Sequence, residues 1–116
     1  MENNLYKKKI WRQSEDIVAK RYQDFWYKIT ARNYTIPWWE IDIVAENQNE
    51  LVFIEVKTIN HIDDIDGYVS KKKIWLLKNC VEHYLMRHPS NKEMVIDVVF
   101  VKDNIISEIY ENVTNN

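Results

Sequence analysis

Four charged residues stand inside two strongly apolar runs near the middle of the chain. The first run carries Glu40 and Asp42, and the second carries Glu55 and Lys57. Charges within apolar runs cost stability unless they are paired or used. Mg²⁺ takes oxygen ligands such as carboxylates, often together with substrate phosphates, and a lysine beside the metal can position or activate water. These residue types therefore indicate metal-assisted hydrolysis of a phosphodiester.

The two runs are predicted to form a β-hairpin. Both are rich in β-branched residues, and the segment between them is polar. A loop at residues 47–50 would pair Glu46 with Leu51. Counting outward, Asp42 then faces Glu55, and the other two charged residues also oppose each other, so all four share one face. The opposite face would be lined by Ile41, Ile43, Val52, Ile54 and Val56.

This register opposes two acids, which is destabilising in a sheet. A divalent cation held by Asp42 and Glu55 would remove the repulsion. The alternative is an edge hairpin with solvated charges, in which Glu40 and Lys57 form a cross-strand ion pair. Spacing alone leaves both interpretations open.

An N-terminal helix is predicted over about residues 5–26. Its apolar stripe comprises Trp11, Val18, Tyr22 and Phe25. Glu15 falls in register with the stripe, four residues after Trp11, and is therefore a second candidate site residue. Alternatively, Glu15 lies at the edge of the stripe or caps the turn after Ser14.

A second helix is predicted over about residues 71–88, with Ser70 as its N-cap. Lys71, Lys72 and Lys73 fall in its first turn, where they oppose the helix dipole. An anion at the helix start would relieve this repulsion, because helix N-termini bind phosphate. The alternative is three solvated lysines. Lys73 is the better site candidate, because it lies on the apolar stripe of this helix, which is formed by Ile74, Leu77, Val81, Tyr84 and Leu85.

The remaining elements complete an α/β fold. Further strands are predicted at 27–33, 94–101 and 105–110. In the first, Tyr27, Ile29 and Ala31 should share one side, and Asp97 in the second is expected to be a structural carboxylate. The hairpin strands are apolar on both faces, so helices should cover a mixed central sheet on both sides. The predicted order is αβββαββ.

Length and composition predict one domain over residues 1–116, with 46% hydrophobic residues. No apolar run approaches the ~20 residues of a membrane span. The single Cys80 argues against a disulfide framework and favours a cytoplasmic location. The net charge of −2 counts against a nucleic-acid partner, although basic residues gather locally at Lys7-Lys8-Lys9 and at Lys71-Lys72-Lys73.

The chain resembles the PD-(D/E)XK nuclease superfamily in its element order, in Asp42 and Glu55-Val-Lys57, and in the acid on the first helix. A closer resemblance covers nearly the whole chain. That resemblance is to the YraN-type family, which consists of small bacterial proteins regarded as endonucleases and similar to Holliday-junction resolvases. Six segments of the chain match this family in order. They are 14–19, 32–34, 40–45, 51–58, 72–74 and 96–99.

The resemblance implies a restriction-endonuclease-like fold and a metal-dependent DNA endonuclease, acting on branched, Holliday-junction-like DNA. Matching positions imply that Asp42 and Glu55 bind Mg²⁺ or Mn²⁺. Glu15 would approach the metal from the first helix, directly or through water. Lys57 would orient the attacking water and stabilise charge on the phosphate. Glu40 would support the site or act as an extra ligand.

The same resemblance implies phosphate contacts from Arg32 and Lys73, with Lys72 beside them. A junction cutter would also call for a two-fold homodimer, because two symmetric strands must be cut. RNA remains an alternative substrate, since the chemistry is shared. The alternative function is an inactive nucleic-acid- or protein-binding module on the same fold.

Two segments depart from the family pattern. Gln13-Ser14 and Trp38-Trp39 stand where family members usually carry glycines. Glycine permits close backbone approach and positive φ, so the loop entering the site must differ. The tryptophans could stack on unpaired bases, pack in a dimer interface or fill the core. One of them is predicted to pack, and the other is left undecided.

Overall fold

The computed structural model describes residues 2–60 and 70–114 and has the predicted αβββαββ order. The elements are α1 (Glu2–Asp24), β1 (Lys28–Ile36), β2 (Trp39–Glu46), β3 (Glu50–Thr58), α2 (Lys71–Arg87), β4 (Glu93–Lys102) and β5 (Ile105–Tyr110). The strands form one mixed sheet in the order β1-β2-β3-β4-β5. Of the described strands, only β3 and β4 pair in parallel, and α2 lies in the crossover that a parallel pair requires. Residues 60–67 are mostly polar and are predicted from the sequence to form a loop, but all of them except Asn60 lie outside the described residues.

Local sequence signals determine where the elements begin and end. Ser70 caps α2 as predicted, because its hydroxyl accepts a hydrogen bond from the Lys73 backbone N–H at 3.2 Å. Asp103 and Asn104 form the turn between β4 and β5 with φ of 51° and 62°. Two such residues make the tight hairpin turn whose twist matches the strands, and Asp and Asn tolerate this conformation well.

Neither described helix is long and apolar enough to cross a membrane.

Among the described residues, each face of the sheet packs against one helix. On one face, Val18, Ala19 and Tyr22 of α1 cover a cluster formed by Ile43, Ala45, Val52, Ile54, Val95, Val99 and Val101. On the other face, Leu77, Cys80, Val81 and Tyr84 of α2 cover a cluster formed by Ile41, Val44, Leu51, Phe53, Ile96, Val98 and Phe100. The prediction that helices cover both sides of the sheet is therefore confirmed.

The predicted alternation of side chains is wrong at two positions. Ala31 packs on the α2 side although Ile29 packs on the α1 side, because a β-bulge shifts the register between them. Ile41 also packs on the α2 side, whereas Ile43 packs on the α1 side. The pairing of β2 with β3 begins only at Ile43. Ile41 pairs instead with Tyr34 of β1, next to Asn33, whose left-handed φ of 52° interrupts the regular strand.

The predicted apolar stripe of α1 is wrong at both of its ends. Trp11 is 56% exposed and Phe25 is 60% exposed, whereas Val18 and Tyr22 are buried as expected. Burial along α1 begins at Ser14, so the first half of the helix extends past the part of the sheet that it covers. Helical spacing identified the correct face of α1 but not the length over which that face is covered.

Asp97 is the structural carboxylate that the sequence predicts. Its Oδ2 accepts a hydrogen bond from the Tyr22 hydroxyl at 2.6 Å, and its Oδ1 accepts one from the Asn112 N–H at 2.9 Å. Burial raises the pKa of Asp97, while these two hydrogen bonds oppose the rise. The contact with Tyr22 fixes α1 to the middle of β4.

We predict that Tyr22→Phe destabilises the protein by about 1–3 kcal/mol, because it removes a donor from a buried carboxylate. The free energy of unfolding from urea denaturation measures this loss. Tyr6→Phe is the matched control, since Tyr6 is exposed on the same helix. Equal stabilities of the two variants would contradict the structural role of the Tyr22–Asp97 contact.

Candidate metal-binding site

The five predicted catalytic residues line one cleft at the end of the sheet where β2 and β3 separate. The cleft has a volume of about 380 Å³. Its lining residues are Trp11, Glu15, Glu40, Asp42, Glu55, Val56, Lys57 and Thr58. All five predicted catalytic residues are therefore brought to one place, with α1 on one side and the hairpin on the other.

The hairpin has the predicted register where its strands pair. Glu46 pairs with Leu51, and the ladder continues to Ile43 and Ile54. Beyond that point, a side chain bridges the strands, because Asp42 Oδ2 accepts a hydrogen bond from the Val56 N–H at 2.7 Å. The carboxylate thus satisfies a backbone donor of β3 and lies in the gap between the strands.

Three carboxylates converge beside this gap. One oxygen each of Glu15, Glu40 and Asp42 lies within 4.8 Å of the other two. The Asn33 amide joins two of these acids, since its Nδ2 donates to Glu15 Oε1 at 3.1 Å and to Glu40 Oε1 at 3.2 Å. This contact brings carboxylate oxygens of α1 and β2 together, with Asn33 of β1 between them.

Asn33 is a site residue that the site prediction from sequence missed. Its φ of 52° is left-handed, a conformation that asparagine tolerates better than most residues. The sequence signal was its place in the family-like segment Arg32-Asn33-Tyr34. The distance of this segment from the acids in sequence gave no indication that Asn33 would contact Glu15 and Glu40.

Asp42 and Glu55 form a buried acidic pair. The two side chains are 8% and 7% exposed. Burial is the largest cause that raises the pKa of Asp42, followed by its hydrogen bond with Glu55 and the charge of Glu55. Burial also raises the pKa of Glu15, against the hydrogen bond from Asn33. Such crowding of carboxyl groups favours the binding of a proton or a cation.

Glu55 is held by a tryptophan and a lysine. Trp39 Nε1 donates a hydrogen bond to Glu55 Oε2 at 3.0 Å. Lys57 Nζ lies 3.9 Å from Glu55 Oε1. Trp39 also packs against the α2-side core, which confirms that one of the two tryptophans packs. Trp38 is exposed and makes an edge contact with His83.

The lysines of α2 lie at different distances from the cleft. Lys73 Nζ is 4.6 Å from the centroid of the Trp39 ring, which is also near Lys57. Burial and the charge of Lys57 lower the pKa of Lys73. Lys72 is exposed in the first turn of α2. The structure thus places Lys73 beside the site, and the roles of both lysines in DNA binding stay predictions.

Arg32 lies on the α1 side of the site and is already paired. Its Nη2 is 2.8 Å from Asp16 Oδ1 and 3.7 Å from Glu15 Oε1. Any phosphate contact by Arg32 therefore has to compete with these two carboxylates. The proposed phosphate role of Arg32 stays a prediction.

A buried pair of hydroxyl groups anchors α1 beside the hairpin. Thr58 Oγ1 donates to Ser14 Oγ at 2.7 Å, and Ser14 is almost wholly buried. Ser14 stands where the resembled family usually has glycine, and its small side chain still permits α1 to approach β3 closely. The hydrogen bond fixes the helix at the residue before Glu15, so it orients that carboxylate.

Comparison with known proteins identifies the family of the chain. Residues 14–101 match the model of the uncharacterised protein family UPF0102. The chain belongs to this family. UPF0102 is the YraN-type family, so the predicted relationship is confirmed.

Relatives from several organisms share this assignment. A UPF0102 protein from Fervidobacterium nodosum is 32% identical over 112 residues, which cover 93% of this chain and 84% of the relative. One from Campylobacter lari is 31% identical over 103 residues, which cover 88% of this chain and 90% of the relative. One from Thermotoga maritima is 32% identical over 91 residues, covering 78% and 84%. Their names state the family and no activity.

The donor set of the cleft fits a hard divalent cation. Carboxylate oxygens are ligands for Mg²⁺ and Mn²⁺, and a buried acidic pair gains from neutralisation. The predicted ligands were Asp42, Glu55 and Glu15. The structure groups Glu40 with Asp42 and Glu15, while Glu55 contacts Asp42. The assignment of Glu55 as a ligand therefore stays a prediction, and Glu40 is better placed as a candidate ligand than the sequence alone indicated.

We predict that Mg²⁺ or Mn²⁺ raises the melting temperature of the protein, because binding neutralises the crowded carboxylates. At a cation concentration of 100 times Kd, the stabilisation would be about 2.7 kcal/mol. Asp42→Asn should abolish the shift in a thermal melt with and without EDTA. Asp24→Asn alters an exposed carboxylate at the other end of α1 and should retain it. An equal shift in all three proteins would argue against binding at this cleft.

Proposed function

We propose that this protein is a metal-dependent endonuclease that hydrolyses phosphodiester bonds in DNA. The observation that carries the proposal is the convergence of Glu15, Glu40 and Asp42 in one cleft with Glu55 and Lys57. Acidic groups alone would provide a cation site. A lysine beside them adds a donor for the phosphate or for the attacking water, which is the combination that phosphodiester hydrolysis uses.

The chain's own residues have distinct roles in this proposal. Glu15, Glu40 and Asp42 would hold the cation, with Glu55 as a further ligand. Lys57 would orient the attacking water and donate to a phosphate oxygen. Lys73 would bind the phosphate backbone from the α2 side. The cation, when bound, would lower the pKa of water and stabilise charge on the phosphate.

DNA that contains a branch is the substrate to test first. The family relationship makes a Holliday-junction-like substrate a natural candidate, and cutting it symmetrically would require two copies of the chain. An RNA substrate and a non-enzymatic binding module are alternative outcomes of the same experiment.

The test is cleavage of linear, single-stranded and four-way-junction DNA, with RNA as a parallel substrate, in Mg²⁺, Mn²⁺ or EDTA. We expect cutting that depends on the metal and falls about 10²–10³-fold in Lys57→Ala, because a donor to the developing charge is lost. Asp42→Asn and Glu55→Ala should also be inactive. Glu108→Gln, on the exposed side of β5, is the matched control and should cut normally.

The outcomes separate the alternatives clearly. Absence of metal-dependent cutting on every substrate would refute the endonuclease proposal. Cutting by Glu55→Ala at the rate of the wild type would also refute it. Binding of DNA without cutting would favour the inactive module. Cutting of RNA alone would indicate that the protein uses the same chemistry on RNA instead of DNA.

We also predict that Trp39→Phe lowers activity about 10–100-fold, the usual effect of removing a partner that orients a metal ligand. Phenylalanine keeps the aromatic packing but cannot donate to Glu55. Trp38→Phe is the matched control, because Trp38 is the exposed neighbour. The affinity for Mn²⁺, measured by calorimetry, should fall with the activity; a normal affinity and activity would rule out this positioning role.

A further inference from the structure

A second cleft adjoins the carboxylate cleft along α1. Its volume is about 420 Å³. It is lined by Tyr6, Lys7, Ile10, Trp11, Thr58 and Asn60. Trp11 and Thr58 line both clefts, so the second cleft leads directly to the acidic residues. Trp11 therefore stands at the boundary between the two.

The chemistry of the second cleft differs from that of the first. Trp11 and Tyr6 present exposed aromatic rings, and Lys7 supplies a positive charge. The neighbouring residues Lys8, Lys9 and Arg12 are exposed on the same part of α1. Aromatic rings that alternate with cations are the elements that bind single-stranded nucleic acid, because bases stack on the rings and phosphates pair with the cations.

We propose that the second cleft binds an unpaired stretch of the DNA strand next to the scissile phosphate, with one base stacked on Trp11. The proposal rests on the nuclease function argued above and names its substrate class: single-stranded, flapped or gapped DNA. A base inside a duplex is stacked on its neighbours and offers Trp11 no free face.

Spacing along the helix favours an extended strand. At 1.5 Å per residue, Trp11 lies about 6 Å from Glu15 along the helix axis, and Tyr6 about 7.5 Å farther. Both steps exceed the about 3.4 Å between stacked nucleotides of B-DNA. Two consecutive bases that contact Trp11 and Tyr6 would therefore be unstacked from each other, with the backbone running past Lys7.

The test is binding of oligonucleotides that carry 2-aminopurine beside the expected cut, with Ca²⁺ in place of Mg²⁺. We expect stacking on Trp11 to quench the fluorescence of the single strand. Trp11→Ala should abolish the quench and raise Kd for the single strand roughly 5- to 150-fold. Kd for blunt duplex should not change. Trp11→Phe should restore most of the affinity, because it keeps an aromatic face.

Trp26→Ala is the matched control, because Trp26 is 89% exposed just after the other end of α1. It should bind as the wild type does. Unchanged single-strand binding by Trp11→Ala, or an equal loss on duplex, would overturn the proposal. Wild-type protein that quenches but cuts no substrate would refute the nuclease function while supporting the cleft. Wild-type protein that cuts without a quench would refute the cleft alone.

Discussion

The hydrogen bond from the Val56 N–H to Asp42 Oδ2 is the contact on which the site depends. An ordinary antiparallel ladder would fill the space between β2 and β3 with backbone groups. Here the ladder stops at Ile43 and Ile54, and a side chain continues the connection. The strands can separate without leaving the Val56 donor unsatisfied, and the separation admits a buried carboxylate. Asp42 consequently lies close enough to Glu55 for the two acids to share a hydrogen bond.

The contacts that hold the other two acids are mostly neutral. Asn33 donates to both Glu15 and Glu40, and the Ser14–Thr58 hydrogen bond fixes the helix beside them. A lysine or arginine in the place of Asn33 would pair with the acids and compete with a cation. An amide orients the same oxygens without cancelling their charge. Such an arrangement would preserve the affinity of the carboxylates for a divalent ion.

Much of the fold and of the hairpin could be predicted because their determinants are local. The loop at Asn47 determines the register, and counting from Glu46 and Leu51 placed the charged residues together. The bulge before Ala31 and the irregularity at Ile41 could not be predicted, because both depend on tertiary packing. The exposure of Trp11 could not be predicted for a similar reason. Helical spacing indicates which face of α1 carries Trp11, but not how far the sheet extends beneath the helix.

The charge of the cleft explains how an acidic chain could act on DNA. The described residues that line the cleft include four acids and one lysine, namely Glu15, Glu40, Asp42, Glu55 and Lys57. The lining is therefore strongly negative while the acids are ionised. A phosphate would be repelled from this surface. A divalent cation neutralises two of the charges and presents its own field to the phosphate. In the proposed reaction, binding of the scissile phosphate would thus depend on the cation, whereas the lysines and arginines of α1 and α2 would attract the flanking backbone. The net charge of −2 reflects the whole chain and says little about this local order of events.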